Sequence, residues 1–205
     1  MATHASTALL TGGTSGIGRA TARKLAQLGI HVLVVGRNAE RGAQTVADIR
    51  AAGGTADCLA SDLRDASSAR DVAQRAVAVG NGHIDMLINN AGSYPFGLTH
   101  ATTEEVFERV YALNVKVPYF LVAALAPLMA QRGTGAIVNV STMAAEYGVP
   151  GMSLYGSCKA ALRPLPRGCV TGTAPSRPPR RRSYVDRPQP LTSEIAVCIF
   201  RQMAI

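Results

Sequence analysis

The 205 residues are 47% hydrophobic and 17% charged, which excludes a disordered chain or a coiled coil and suits one α/β domain with a sizeable core. The net charge of +8 is uneven: Met1 to Leu162 carries 13 Arg+Lys against 11 Asp+Glu, a net of +2, whereas Arg163 onward carries 8 against 2, a net of +6. Seven of the 11 prolines also follow Leu162, so two compositions meet there and the basicity belongs to the tail.

At the N-terminus, MATHASTALLTGG has no basic segment leading into a long apolar stretch, and no run of about eighteen apolar residues occurs anywhere. Neither secretion nor membrane spanning is expected, and a cytoplasmic location is the default. Residues 7–11 (TALLT) form a short apolar run, followed by the glycine-rich GGTSGIG and by RATARKLAQLG. The i, i+3 and i+4 spacings among Ala20, Ala22, Leu25, Ala26 and Leu28 predict a helix with one buried face, ended by Gly29. HVLVVG (31–36) reads as a parallel strand buried on both sides.

The alternation continues with a helix over 38–52, a turn at Gly53-Gly54, a strand in TADCLASD, a helix over 66–80 and the apolar run IDMLINNAG (84–92). Helices over 102–112 and 115–131 precede a fifth strand in GAIVNVST (135–142). Strands alternating with helices over short connections predict an α/β fold with a doubly wound parallel sheet. Cys58, Cys158, Cys169 and Cys198 show no metal-ligand spacing and are expected as reduced thiols, and no metal site is predicted.

The chemistry-bearing residues fall at the ends of these strands. Gly12, Gly16 and Gly18 frame a loop with Thr14, Ser15 and Ile17 at the first strand-helix junction, where backbone N–H groups and the helix dipole suit a pyrophosphate. A glycine turn serving only strand-helix packing is the other reading of that loop. At the end of the second strand, Val35-Gly36-Arg37-Asn38 has a guanidinium and no acid, so Arg37 either pairs with a ribose 2′-phosphate, favouring NADP(H) over NAD(H), or is an ordinary solvated arginine. Asp62-Leu63, Asn90-Ala91-Gly92 and Ser141-Thr142 follow the third, fourth and fifth strands and line the same crevice. Asp62 would serve equally as a helix N-cap, and Asn90 as a turn residue.

TGGTSGIG, NNAG, LNV and YGSCK, in this order over residues 5–162, resemble the short-chain dehydrogenase/reductase superfamily, closest to its 3-oxoacyl-carrier-protein reductase-like branch. The resemblance implies a Rossmann-type sheet and hydride exchange between a nicotinamide dinucleotide and a small carbonyl or alcohol substrate. It implies Tyr155 as general acid/base and Lys159 as the residue that lowers the tyrosine pKa and contacts the nicotinamide ribose. It further implies that Asn114 supports the lysine through a water-linked relay. A tyrosine ordinarily titrates near 10, so an ammonium four residues on, on the same helical face, is chemically apt. The substrate-orienting hydroxyl matches Thr142 by its spacing of 13 from Tyr155, and Ser141, adjacent and on the opposite face of the strand, is the other candidate for that role.

Past Leu162 the resemblance stops. Pro164 and Pro166 end the catalytic helix near Leu162, and the family's further helical turns and sixth strand have no counterpart in RPLPRGCVTGTAPSRPPRRRSYVDRPQPLTSEIAVCIFRQMAI. The expected organisation is therefore a truncated dinucleotide-binding domain over 1–162 and a poorly ordered Arg/Pro-rich tail over 163–205, read as a frameshifted or alternatively spliced translation. The competing reading is a basic arm for phosphates or acidic partners; without an aromatic platform, no specific nucleic-acid role is expected. AIVNV would become an open sheet edge, onto which IAVCIF (195–200) would pair or to whose aggregation hazard it would add. The family's homo-oligomer, in which the tyrosine-bearing helix packs between subunits, is doubtful here. The alternative to an oxidoreductase is a catalytically incompetent remnant that binds dinucleotide or a protein partner.

Overall fold

The computed structural model describes residues 6–165 and the backbone of residues 197–201. In chain order it contains β1 (Thr7–Thr11), α1 (Gly16–Gln27), β2 (His31–Gly36), α2 (Ala39–Ala51), β3 (Ala56–Ala60), α3 (Ala66–Val79) and β4 (Met86–Asn89). There follow α4 (Glu104–Tyr111), α5 (Val117–Gln131), β5 (Ala136–Val140), α6 (Ser153–Ala161) and β6 (Val197–Arg201). The sheet order is β3-β2-β1-β4-β5-β6, with the first five strands parallel and β6 antiparallel to β5. The expected α/β doubly wound sheet is thus present, and its five parallel strands are the five read from the sequence. In β1, β2, β4 and β5 successive side chains alternate between two cores. Leu9, Leu33, Val35, Leu87 and Ile137 pack with α3 and α5, while Ala8, Leu10, Val32, Val34 and Ile88 pack with α1 and α2.

Where the sequence predicts two helices, 102–112 and 115–131, the chain runs helically from Glu104 to Gln131 through a π-helical turn at Ala112–Lys116. The extra residue of that turn rotates Asn114 into the interior, where it is fully buried. This 28-residue stretch is apolar and long enough to cross a membrane, but Val117, Leu121, Val122 and Leu125 are buried in the core.

The fifth strand is not left as an edge: residues 197–201 pair along its full length, from Ala136 opposite Arg201 to Val140 opposite Val197. The helix α6 ends at Ala161 with Leu162 as its C-cap, as the prolines require. The expectation for the Arg/Pro-rich stretch falls almost entirely on residues outside those described.

Candidate active site

Parallel pairing brings the C-terminal ends of β1 to β5 to one edge, and each connection there carries a residue singled out by the sequence. The glycine-rich loop leaves β1 with Gly12 at φ +67° and Gly16 at φ +49°, a left-handed conformation that glycine adopts without strain. A Cβ at Gly18 would lie 2.1 Å from the Gly12 carbonyl oxygen, whereas a Cβ at Gly16 would meet nothing within 4 Å. The loop is therefore tight underneath and open on its outer face. Ser15 begins α1 without a side-chain capping bond, and no acidic residue lies in the first turn. With Ile17 about half exposed, the positive end of α1 faces open space and fits a bound pyrophosphate.

Thr14 of the same loop packs against Gly36 at the end of β2. The next residue, Arg37, is exposed, and neither it nor Arg41 forms an ion pair among the described residues. Arg19 and Arg23 are by contrast both held on Asp48, at 2.5 and 2.6 Å, so they are committed to joining α1 to α2. After β3, Asp62 is exposed and Leu63 buried. The N-cap of α3 is Asp65, whose side chain accepts the Ser68 N–H at 2.7 Å, so the capping role weighed for Asp62 belongs to Asp65.

Asn90 acts as a clamp. Its Nδ2 donates to the carbonyls of Thr11 and Gly12 at 2.9 and 3.2 Å, fixing the end of β4 to the glycine loop. Ala91 and Asn90 both donate their backbone N–H to Thr11 Oγ1 at 3.0 Å. Gly92 lies where a Cβ would approach Asn114 Oδ1 to 2.8 Å and Lys159 Nζ to 3.6 Å, so the absence of a side chain there lets these two groups share one space. The Asn114 side chain donates to Ser93 O and Val110 O at 2.8 and 2.9 Å and accepts from Ser93 N, binding the β4 loop to the π turn.

Tyr155 and Lys159 lie on α6, and Lys159 is 2% exposed with Nζ 5.8 Å from the centroid of the Tyr155 ring. Nζ donates to Val140 O at 2.9 Å, and burial lowers the ammonium pKa from 10.5 to about 8. Half-buried Tyr155 is shifted upward, by burial first and then by Tyr94 and Cys158, with Lys159 not among the causes. The lowering of the tyrosine pKa implied by the family resemblance is therefore absent from this geometry, because desolvation outweighs an ammonium that points at the β5 carbonyl. The Tyr155 hydroxyl has no hydrogen-bond partner among the described residues, and the Tyr94 ring lies 5.9 Å away. Of the two candidate hydroxyls, Thr142 Oγ1 accepts the Ala144 N–H at 3.3 Å, which leaves its own proton free to donate. Ser141 Oγ is enclosed and unpartnered.

A glycine loop at the first strand-helix junction, a helix bearing Tyr155 and Lys159 and a shared strand-end crevice are thus in place. Residues 6–176 match the family described as short chain dehydrogenase. The chain belongs to that family. It is 38% identical over 159 residues to an uncharacterized oxidoreductase of Thermotoga maritima, covering 78% of this chain and 62% of that protein. A solved candidate betaketoacyl-ACP reductase is 46% identical, with a TM-score of 0.73, 80% of this chain covered and 65% of that one. A metagenomic short-chain oxidoreductase solved in complex with NADP is 35% identical, with a TM-score of 0.76 and coverages of 80% and 74%. The chain spans about three fifths of the length of the curated relatives it matches.

Two polar residues of this fold escape the sequence reading. Thr11, 2% exposed, holds the Asn90-Ala91 turn. Asn139 accepts from Asn89 Nδ2 at 2.9 Å and donates to Leu162 O at 3.1 Å, capping the last turn of α6 from β5. The only sequence signal for either is a polar residue inside an otherwise apolar strand.

Proposed function

We propose that this chain is an NADP(H)-dependent oxidoreductase of the short-chain type, exchanging hydride with a carbonyl or alcohol substrate. The observation that carries the reading is the pair Tyr155 and Lys159, one half-buried with a free hydroxyl and the other buried beside it, at the strand edge that also carries the open glycine loop. The bound nicotinamide would supply or accept the hydride at its C4 position. Gly12, Thr14, Ser15, Gly16, Ile17 and Gly18 hold the pyrophosphate, Asn90, Ala91 and Gly92 form the wall toward the nicotinamide, and Asp62 and Leu63, after β3, border the adenosine end beside Arg37. Arg37, exposed and free of ion pairs among the described residues, takes the 2′-phosphate.

Thr142 donates its free hydroxyl proton to the substrate oxygen while its own oxygen stays anchored on Ala144 N–H, which fixes the direction of the bond. Tyr155 passes the proton to that oxygen in reduction and takes it back in oxidation. Asn114 positions the loop that borders Lys159, and Lys159, held on Val140 O, stands beside the phenol with Nζ 5.8 Å from the ring centroid. NADP in the metagenomic relative supports the cofactor reading. A second reading, dinucleotide binding without turnover, draws on the ending of α6 at Ala161, two residues beyond Lys159.

Fluorescence titration of the full chain with NADPH and NADH, repeated for Arg37→Asp, tests the proposal. Saturable binding that prefers NADPH and loses that preference on substitution is the expected result, and subsequent turnover of carbonyl substrates separates the two readings. A folded chain that binds neither cofactor overturns both.

A further inference from the structure

We infer that Thr14 bars an acidic side chain from the end of β2 and so leaves the cofactor preference of this crevice to Arg37; this rests on reading the crevice as a nicotinamide dinucleotide site. A Cβ at Gly36 would stand 2.5 Å from Thr14 Cγ2, 2.8 Å from Oγ1 and 3.3 Å from Cβ, and real Cβ atoms essentially never come within 3.0 Å of a neighbour. Gly36 is not among the residues with positive φ, so its backbone would accept any side chain. Space alone demands glycine there.

Thr14 has little freedom to step aside. A β-branched side chain is stiff at χ1. Its neighbour Gly13 is tied to β2, with N–H donated to Val35 O at 3.1 Å and Val34 Cγ1 lying 2.9 Å from where a Cβ would stand. On the far side α2 approaches through Gly42, where a Cβ would come to 3.8 Å from Thr14 Cγ2 and 2.2 Å from Cys58 Sγ. Loop, strand end and helix therefore close on one threonine side chain.

The end of the second strand is where dinucleotide folds place a carboxylate against the ribose hydroxyls, a group that favours a free 2′-hydroxyl and repels a 2′-phosphate. Thr14 excludes that carboxylate from position 36 sterically. The first side chain able to reach the ribose is then Arg37. In the unsubstituted chain position 36 carries no side chain, so the preference for the phosphorylated cofactor rests on Arg37, and Thr14 is a positioning residue that keeps position 36 from taking the carboxylate that would oppose it.

Full-length chains carrying Gly36→Asp, Thr14→Ala, both or neither are compared by thermal unfolding without ligand and by fluorescence titration with NADPH and NADH. Gly36→Asp alone is expected to lower the unfolding midpoint and weaken both cofactors. Adding Thr14→Ala is expected to recover most of the midpoint and to move the NADPH/NADH affinity ratio toward NADH by about tenfold or more. If Gly36→Asp does not fold by itself, folding of the double variant is the supporting outcome and its failure to fold the opposing one. Gly36→Ala repeats the ligand-free comparison with the smallest side chain and must likewise be rescued by Thr14→Ala. Additive midpoints, or a ratio shift as large in Gly36→Asp as in the double variant, overturn the inference while leaving the cofactor reading intact. Binding of neither cofactor by the folded, unsubstituted chain overturns that reading and the role of Thr14 with it.

Discussion

Replacing Lys159 by methionine removes a buried titration whose direction the structure fixes. The ammonium is 2% exposed, and burial takes its pKa from 10.5 to about 8. Below pH 8 folded and unfolded chains both hold this proton, so Lys159 adds no pH slope. Between about pH 8 and 10.5 the unfolded chain binds the proton more tightly than the native one, so stability rises with pH. The difference of about 2.5 pH units corresponds to ~3 kcal/mol, gained by the unsubstituted chain across that window and absent from Lys159→Met. Cys158 opposes it: burial raises that thiol from 9.0 to about 11, so its contribution falls as pH rises through the same range. The quantity to measure is therefore the difference between the two proteins, from which Cys158 and Tyr155 largely cancel. Urea unfolding followed by circular dichroism at pH 7, 8, 9, 10 and 11 should show the stability of the unsubstituted chain rising relative to Lys159→Met by ~3 kcal/mol, equivalent to roughly 6–12 °C in Tm for a chain of this size. A difference that stays flat within about 0.5 kcal/mol over the series would refute the burial argument.

Tyr155→Phe is expected to lower turnover by about 10²–10⁴ while leaving NADPH affinity within about twofold, checked by steady-state kinetics beside fluorescence titration. Asn139→Ala strands Asn89 Nδ2 and Leu162 O in the interior and should cost about 2–4 kcal/mol in chemical denaturation. Thr11→Val keeps the shape of the side chain but removes the oxygen that accepts two backbone N–H groups. A loss of about 2–4 kcal/mol in stability, with weaker cofactor binding, is expected in the same two assays.

The strands were legible because buried parallel strands are near-continuous apolar runs, and the Tyr155–Lys159 pair was legible because a spacing of four needs only a helix. What sequence order could not reveal is contact between distant positions. Asn139 reaches Asn89 across 50 residues, and Thr11 receives the Asn90 and Ala91 N–H groups from 79 and 80 residues away, so each looks like an isolated polar residue until strand register is known. The π turn is hidden for a different reason: one inserted residue disturbs the 3.6-residue period too little to mark, yet it alone turns Asn114 inward. Spacing also says nothing of where a long side chain ends. It placed Lys159 on the face of Tyr155 but not its Nζ on Val140 O, and it gave no sign of the burial that, ahead of Tyr94 and Cys158, pushes the tyrosine pKa up.

The brevity of α6 bears on how the proposed reactive pair is held. Nine residues are too few for a helix to persist in water on propensity alone, where about 12–15 are marginal. Its position must come from tertiary bonds, and the structure supplies them at both ends and in the middle. Gly156 approaches Ala144 so closely that a Cβ would come to 2.4 Å from its carbonyl oxygen, Lys159 Nζ bonds Val140 O, and Asn139 Nδ2 bonds Leu162 O. All three contacts run to β5 or the turn that follows it, so the sheet holds in place the short helix whose spacing of four brings Tyr155 and Lys159 together. The prolines after Leu162 can therefore stop the helix without displacing the pair, whereas loss of Asn139 from the middle of a strand should loosen it.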